Sequence, residues 1–515
     1  MGVKVLSVIM LIIFFAVMIM VGLYTRNRAR NVEGFVLGSR SVGPWMTAFA
    51  FGTSYFSAVI FVGYAGQFGW NFGLASTWAG LGNAFIGSLL AWNILGRRTR
   101  IMTQHLDAKT MPDFFGKRFD SVPMKVIASI IIFIFLIPYT SSLYNGLSSL
   151  FGLVFDIPYW VVIAIMAVLT GFYVVFGGYM ATAINDFIQG IIMLIGICAV
   201  IGAVLHANGG LVAATQKLAE IELPGWGTGA FSSFLGPDPL ALMFVVVLTS
   251  LGTWGLPQMV QKFYAIRNEK AVDTGTVIST ACAFIIAGGC YFLGGFGRLF
   301  SDRVDVAAEG FDAVIPAMLS GLPDILIGIV VILVLSASMS TLSSLVLASS
   351  STLTLDFLKG TIIKKMDEKR QVLTMRLLIV VFIAISVVIA LIQYSSNVTF
   401  IAQLMGVSWG ALAGAFLAPF LYGLYWKKTT KAACWVSFLF STVVMLANIA
   451  ARPHFPKLLQ SPINAGAFCM IAGLILVPIV SAFTRKPDPA MVEDAFSCYT
   501  KKVLVPQTEA LEDKD

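Results

Sequence analysis

Thirteen apolar stretches, each long enough to cross a bilayer, recur along this chain and leave little room for any other plan. They fall near 4–25, 44–68, 73–96, 123–147, 158–177, 181–206, 239–262, 273–298, 323–357, 372–394, 397–425, 431–450 and 462–483. A spanning helix needs roughly 20 apolar residues. In hydrocarbon every backbone N–H and C=O must find its partner inside the protein, which favours helices. Composition agrees: 58% of residues are hydrophobic, 12% are charged and mean hydropathy is +0.87. The expectation is an all-α polytopic membrane protein with thirteen transmembrane helices. The transporter-sized domain covers 1–484, and a polar tail over 485–515, expected to be mobile, is too short for a kinase or receiver domain.

The charges test this layout. With an external N-terminus and thirteen crossings, 28 of the 34 Lys and Arg residues fall in cytoplasmic segments (26–40, 97–125, 262–270, 359–376, 427–431 and the tail). Basic residues concentrate on the cytoplasmic side of membrane proteins, so the bias supports both the count and a cytoplasmic C-terminus. It also accounts for the net charge of +8 without nucleic acid as a partner. The first stretch is too long for the apolar core of a signal peptide and lacks a small-residue cleavage site, so it reads as a retained helix. The external loop 207–238, rich in glycine, is expected to form a cap.

Nothing in the sequence suggests an enzyme or a cofactor. The six cysteines form no CxxC pair and the three histidines fall in segments expected to be loops. No HExxH, Walker A or GxSxG motif occurs.

Two stretches carry helix-breaking residues in corresponding places. One reads Phe51-Gly52-Thr53-Ser54-Tyr55-Phe56-Ser57 and the other Leu251-Gly252-Thr253-Trp254-Gly255-Leu256-Pro257-Gln258. Broken helices are tolerated where freed backbone groups line a cavity. The two lie five stretches apart and so cross in opposite directions. That is the pattern of an inverted repeat, here about 44–206 and 239–425, with ligands bound at the interruptions.

Of the 26 acidic residues, only Asp186 is read as lying within an apolar stretch. Asp186 stands out as a carboxylate within a span, readable as a cation ligand or proton carrier, or as an interfacial residue reaching water. On the ninth stretch Ala337, Ser340, Thr341 and Ser344 follow helical spacing and share one face. Their hydroxyls could serve a hard cation such as sodium, or could form a small-residue packing face.

These segments resemble the sodium:solute symporter family over about 1–490. The most specific pieces are GSRSVGPW (38–45), FGTSYFSA (51–58), MPDFFGKRF (111–119), FGGYMATAINDFIQG (176–190) and ASMSTLSSLV (337–346). The resemblance implies a LeuT-like 5+5 inverted repeat with an extra N-terminal helix, in a bacterial inner membrane. It implies a sodium site formed by the carbonyls of Thr53, Phe56 and Ala337 and the hydroxyls of Ser340 and Thr341. It further implies a candidate second sodium site at Asp186, Ser343 and Ser344 beside Ser340. Local motifs are similar to those of sodium/proline symporters, whose solute positions fall on Ser57, Tyr139 and Trp254. Gln258 and Gln261, past the second break, could hydrogen-bond a solute. One departure stands: those symporters carry an aspartate where this chain has Tyr55. The implied partners are a small polar solute, sodium ion and the lipid bilayer. A symporter of pantothenate, sialic acid or a sugar, a proton-coupled carrier and a transporter-like sensor remain as alternatives.

Overall fold

The computed structural model describes residues 3–155, 158–363, 365–395 and 401–500. Long helices account for nearly all of it. We label them α1 (Val3–Thr25), α2 (Pro44–Tyr55), α3 (Val59–His105), α4 (Val122–Phe155), α5 (Tyr159–Ala207), α6 (Pro239–Gly255), α7 (Pro257–Ala265), α8 (Glu269–Gly294), α9 (Asp324–Thr352), α10 (Glu368–Ser395), α11 (Ile401–Tyr425), α12 (Lys431–Ala451) and α13 (Pro462–Phe483).

By length and composition alone, the described residues contain ten helices able to cross a membrane, or eleven if the bent pair α6 and α7 is one crossing. The count differs from the thirteen expected, and two of these helices are longer than a single crossing needs. Runs α3 and α5 are 47 and 49 residues long. At about 1.5 Å per residue each far exceeds a bilayer's thickness. Each contains a glycine with positive φ, Gly73 (φ 61°) in α3 and Gly178 (φ 54°) in α5. Only glycine adopts such a conformation readily, so the chain changes direction there without an intervening loop.

The sequence breaks are real interruptions of similar geometry. Helix α2 ends at Tyr55 because Phe56 is extended (φ −80°, ψ 114°), and the helix resumes at Val59. Helix α6 ends at Gly255 because Leu256 is also extended (φ −82°, ψ 123°), and α7 starts at Pro257 with a 45° bend. Proline lacks an N–H and pushes the preceding residue out of the helical region, which fixes the second break.

Helix α9 packs against α5, α4 and α2, and touches α7. Its hydroxyl-bearing face is therefore turned inward: Ser336, Ser338, Ser340, Thr341 and Ser343 are fully buried. Peripheral α1 and α10 instead expose Ile12, Leu377 and Val380, the apolar surface expected of a lipid-facing helix.

Two surface assemblies close the ends. Beside the arginine-rich end of α3, a short helix Met111–Arg118 is capped by Thr110, whose Oγ1 accepts from the Asp113 N–H at 3.1 Å. Lys125 lies 2.7 Å from Asp113 and 3.3 Å from Asp356, tying this helix to the chain just beyond α9. Burial raises the Asp113 pKa, but Lys125 and Lys117 outweigh that and hold it below the ordinary carboxylate value. The tail departs from expectation. Residues Pro489–Ser497 form a helix, α14, that seats Phe496 4.9 Å from the Arg118 guanidinium. Residues 501–515 lie outside the described residues. At the other end, the Gly-rich loop folds inward as a cap. Its Phe231 is buried, and the Arg298 guanidinium lies 4.4 Å from both the Phe231 and Trp70 rings.

Candidate functional site

The end of α2 leaves its last carbonyls without partners in their own helix. They face α9. The Ser340 hydroxyl oxygen lies 3.1 Å from the Thr53 carbonyl oxygen and 3.0 Å from that of Ala337. The Thr341 hydroxyl oxygen lies 3.2 Å from the Thr53 and Phe56 carbonyls and 3.1 Å from Ala337. All five residues that sequence reasoning grouped for a sodium ion thus converge on one point. Three carbonyls share only two hydroxyl protons, so the cluster is rich in acceptors. A hard cation takes such oxygen ligands.

The second grouped set has a different character. Asp186 is fully buried in α5, and the Lys262 ammonium lies 3.5 Å from its Oδ2. Lys262 also donates to the Ser344 hydroxyl at 3.0 Å, and its ammonium stands 5.2 Å from the centre of the Tyr179 ring. Ser344 in turn lies 2.8 Å from the Ser54 hydroxyl. Ser343 donates to the Ser340 carbonyl at 2.9 Å. Sequence counting placed Lys262 among cytoplasmic loop charges; it is 2% exposed, inside the protein. Its signal was legible: a lone buried carboxylate calls for a partner, and Lys262 is the first cation past the second break. Asp356, too, is buried rather than left to solvent, so Asp186 is not the sole buried acid of these runs.

The residues grouped for solute binding divide. Tyr139 on α4 faces Ser57 and packs edge-on against Trp409 of α11, with ring centres 6.0 Å apart. Gly252 on α6 brings its backbone against the same Trp409 ring, where a β-carbon would meet it at 2.6 Å. Ser57, Tyr139, Trp409 and both breaks therefore adjoin. Trp409 was missed in the sequence because Val407-Ser408-Trp409-Gly410 carries no break or charge. Trp254 has a different partner: its indole N–H donates to the Ile86 carbonyl of α3 at 2.9 Å. Gln258, on the first turn of α7, is fully buried, and neither amide atom has a hydrogen-bond partner among the described residues. Gln261 is committed, donating to the Val36 carbonyl at 2.8 Å. The side chain of Tyr55 lies outside the described residues.

A helical membrane protein with two interrupted helices, and a nest of hydroxyl and carbonyl oxygens where one interruption meets a neighbour, has the build of a secondary transporter. Comparison with known proteins makes this specific. Residues 35–439 match the model of the Sodium:solute symporter family, and the chain belongs to that family. The family carries a solute together with sodium, so this is a sodium-coupled transporter of the membrane and not an enzyme. Curated relatives include the sodium/proline symporters of Staphylococcus aureus strains JH9 and NCTC 8325, each 30% identical over 94% of this chain and 94% of the relative. Among solved structures, a Na+-coupled sialic acid symporter in a substrate-bound outward-open state is similar at TM-score 0.75. Its identity is 16%, covering 95% of this chain and 99% of that one. The manganese transporter of Eremococcus coleocola is similar at TM-score 0.51 and 13% identity, covering 88% and 96%. These two show a shared fold.

Proposed function

We propose that this chain imports a small polar organic solute by sodium symport and alternating access, with proline or a related amino acid as the first substrate to test. The observation that carries the proposal is the convergence of Thr53, Phe56, Ala337, Ser340 and Thr341 at the break of α2. Sodium bound there joins α2 to α9 and orders the break. The solute then occupies the space beside Ser57, Tyr139 and Gln258, with Trp254 steadying α6 against α3. The names of the Staphylococcus relatives support proline; Tyr55, at a position where such symporters carry aspartate, is the reason to test a panel.

The proposal includes thirteen crossings in a 5+5 inverted repeat preceded by α1, with an external N-terminus and cytoplasmic C-terminus in a bacterial cell membrane. The direction changes at Gly73 and Gly178, which divide α3 and α5, support that count. The matched dihedrals of Phe56 and Leu256 support the repeat.

The driving force suffices. A potential of about 100 mV supplies ~2.3 kcal/mol per charge, and a tenfold sodium gradient adds ~1.4 kcal/mol. One sodium ion per solute could sustain an accumulation of roughly 500-fold. The test is initial uptake by purified protein in proteoliposomes, with an inward sodium gradient or choline, across proline, other amino acids, pantothenate, sialic acid and hexoses. Sodium-dependent uptake of one compound is the expected result. Uptake that follows a proton gradient and ignores sodium overturns the ion assignment.

A further inference from the structure

We propose that Lys262 is a tethered cation that permanently fills the second cation position of this transporter, so that a single mobile sodium ion is bound per cycle. The inference rests on the sodium-symport reading above and refines its stoichiometry. The oxygen atoms grouped for a second ion are Asp186, Ser343 and Ser344 beside Ser340. Two of these four residues are engaged by the Lys262 ammonium, Asp186 at 3.5 Å and Ser344 at 3.0 Å. Lysine and carboxylate are both buried, at 2% and 0% exposure. A buried carboxylate requires a positive partner, and an ammonium is a compact point charge with three donors suited to the same oxygens. A sodium ion about 4 Å from that ammonium would be weakened on the order of a thousandfold at the effective dielectric of protein interiors.

The tether also has a route to the first site. Lys262 holds Ser344, Ser344 lies 2.8 Å from the Ser54 hydroxyl, and Ser54 directly follows Thr53, whose carbonyl faces Ser340 and Thr341. Lys262 is thus a positioning residue: it anchors α7 to α9 and, through Ser54, to the broken end of α2.

The experiment is binding of radioactive sodium to the purified full-length protein in detergent, counted per polypeptide. The wild type is expected to saturate at one ion. Lys262→Met, which removes the charge and keeps much of the volume, is expected to saturate at two. Lys262→Met combined with Asp186→Asn is expected to return to one. Wild-type saturation at two ions overturns the inference and leaves sodium symport intact. No sodium bound to the wild type overturns both. A monodisperse Lys262→Met protein that binds one ion with wild-type affinity also overturns it. If that variant fails to fold, the wild-type count and Lys262→Arg, expected to stay at one ion, decide the question.

Discussion

The Ser340 hydroxyl oxygen stands 3.1 Å from the carbonyl oxygen of Thr53, a contact that bridges residues 287 positions apart and joins α9 to the broken end of α2. A helix end usually satisfies such a carbonyl with water or a cap. Here it is turned toward a second hydroxyl and two further carbonyls, all buried. Removing one hydroxyl should therefore weaken cation binding more than it weakens the fold. Hydrogen-bonding partners of charged groups contribute about 1.5–3 kcal/mol. Ser340→Ala and Thr341→Ala are each expected to raise the sodium concentration for half-saturation by about tenfold or more, read by sodium titration of the purified protein. Unchanged sodium dependence in both variants would remove these residues from the site.

Gln258 offers a test in the opposite sense. A buried amide without partners costs about 1–3 kcal/mol of stability, a burden that makes sense where a ligand completes it. Gln258→Leu is expected to abolish or sharply reduce solute uptake while leaving the melting temperature equal or higher. Uptake at the wild-type level, with or without a change in melting, would exclude a role in solute binding.

Backbone proximity gives a third test. A β-carbon on Gly69 would overlap the carbonyl of Gly294, and one on Gly294 would overlap that of Ala65, so α3 and α8 meet backbone to backbone. Overpacking of this kind costs about 1–3 kcal/mol. Gly69→Ala is expected to lower the melting temperature. Gly202→Ala, in α5 with open space at its β-carbon, is expected to hold or raise it, since alanine is favoured over glycine in a helix by about 1 kcal/mol.

Asp312, in the segment between α8 and α9, sets a pH dependence. Burial pushes its carboxyl up from 3.8 to about 6, against a hydrogen bond from the Ile401 N–H. Between those values the folded state holds a proton that the unfolded state has lost. Stability therefore falls as pH rises through that window and levels off above about 7. Asp312→Asn is expected to flatten this part of the melting-temperature profile. A profile identical to the wild type would show that Asp312 does not titrate in this range.

Much of this was written in the local sequence, and what escaped it has identifiable causes. Apolar length located the helices, and Gly-Thr followed by an aromatic residue located both interruptions. The helical spacing of Ala337, Ser340 and Thr341 put three members of the site on one face. Hydropathy also separated the stretches on either side of 69–72 and 178–180, and the structure carries a positive-φ glycine at each place, Gly73 and Gly178, rather than a loop. Lys262 was misplaced because it sits at the end of an apolar run, where hydropathy cannot tell a buried cation from a solvated one. Trp409 and Trp254 show the remaining limit. Which way an aromatic ring points depends on packing between distant helices, and nothing in the neighbouring residues records it.

Gln258 and Lys262 occupy one face of the nine-residue helix α7, one turn apart. One end of that face presents an unsatisfied amide beside the interruption; the other grips α9 and, through Ser344, reaches α2. A rod this short has no hinge of its own. Any tilt about the Leu256 joint moves both side chains together, as the two arms of a rocker. A solute that engaged the amide, as proposed, would therefore act on the Lys262 end as well, and from there on the oxygen nest through Ser344 and Ser54 alone.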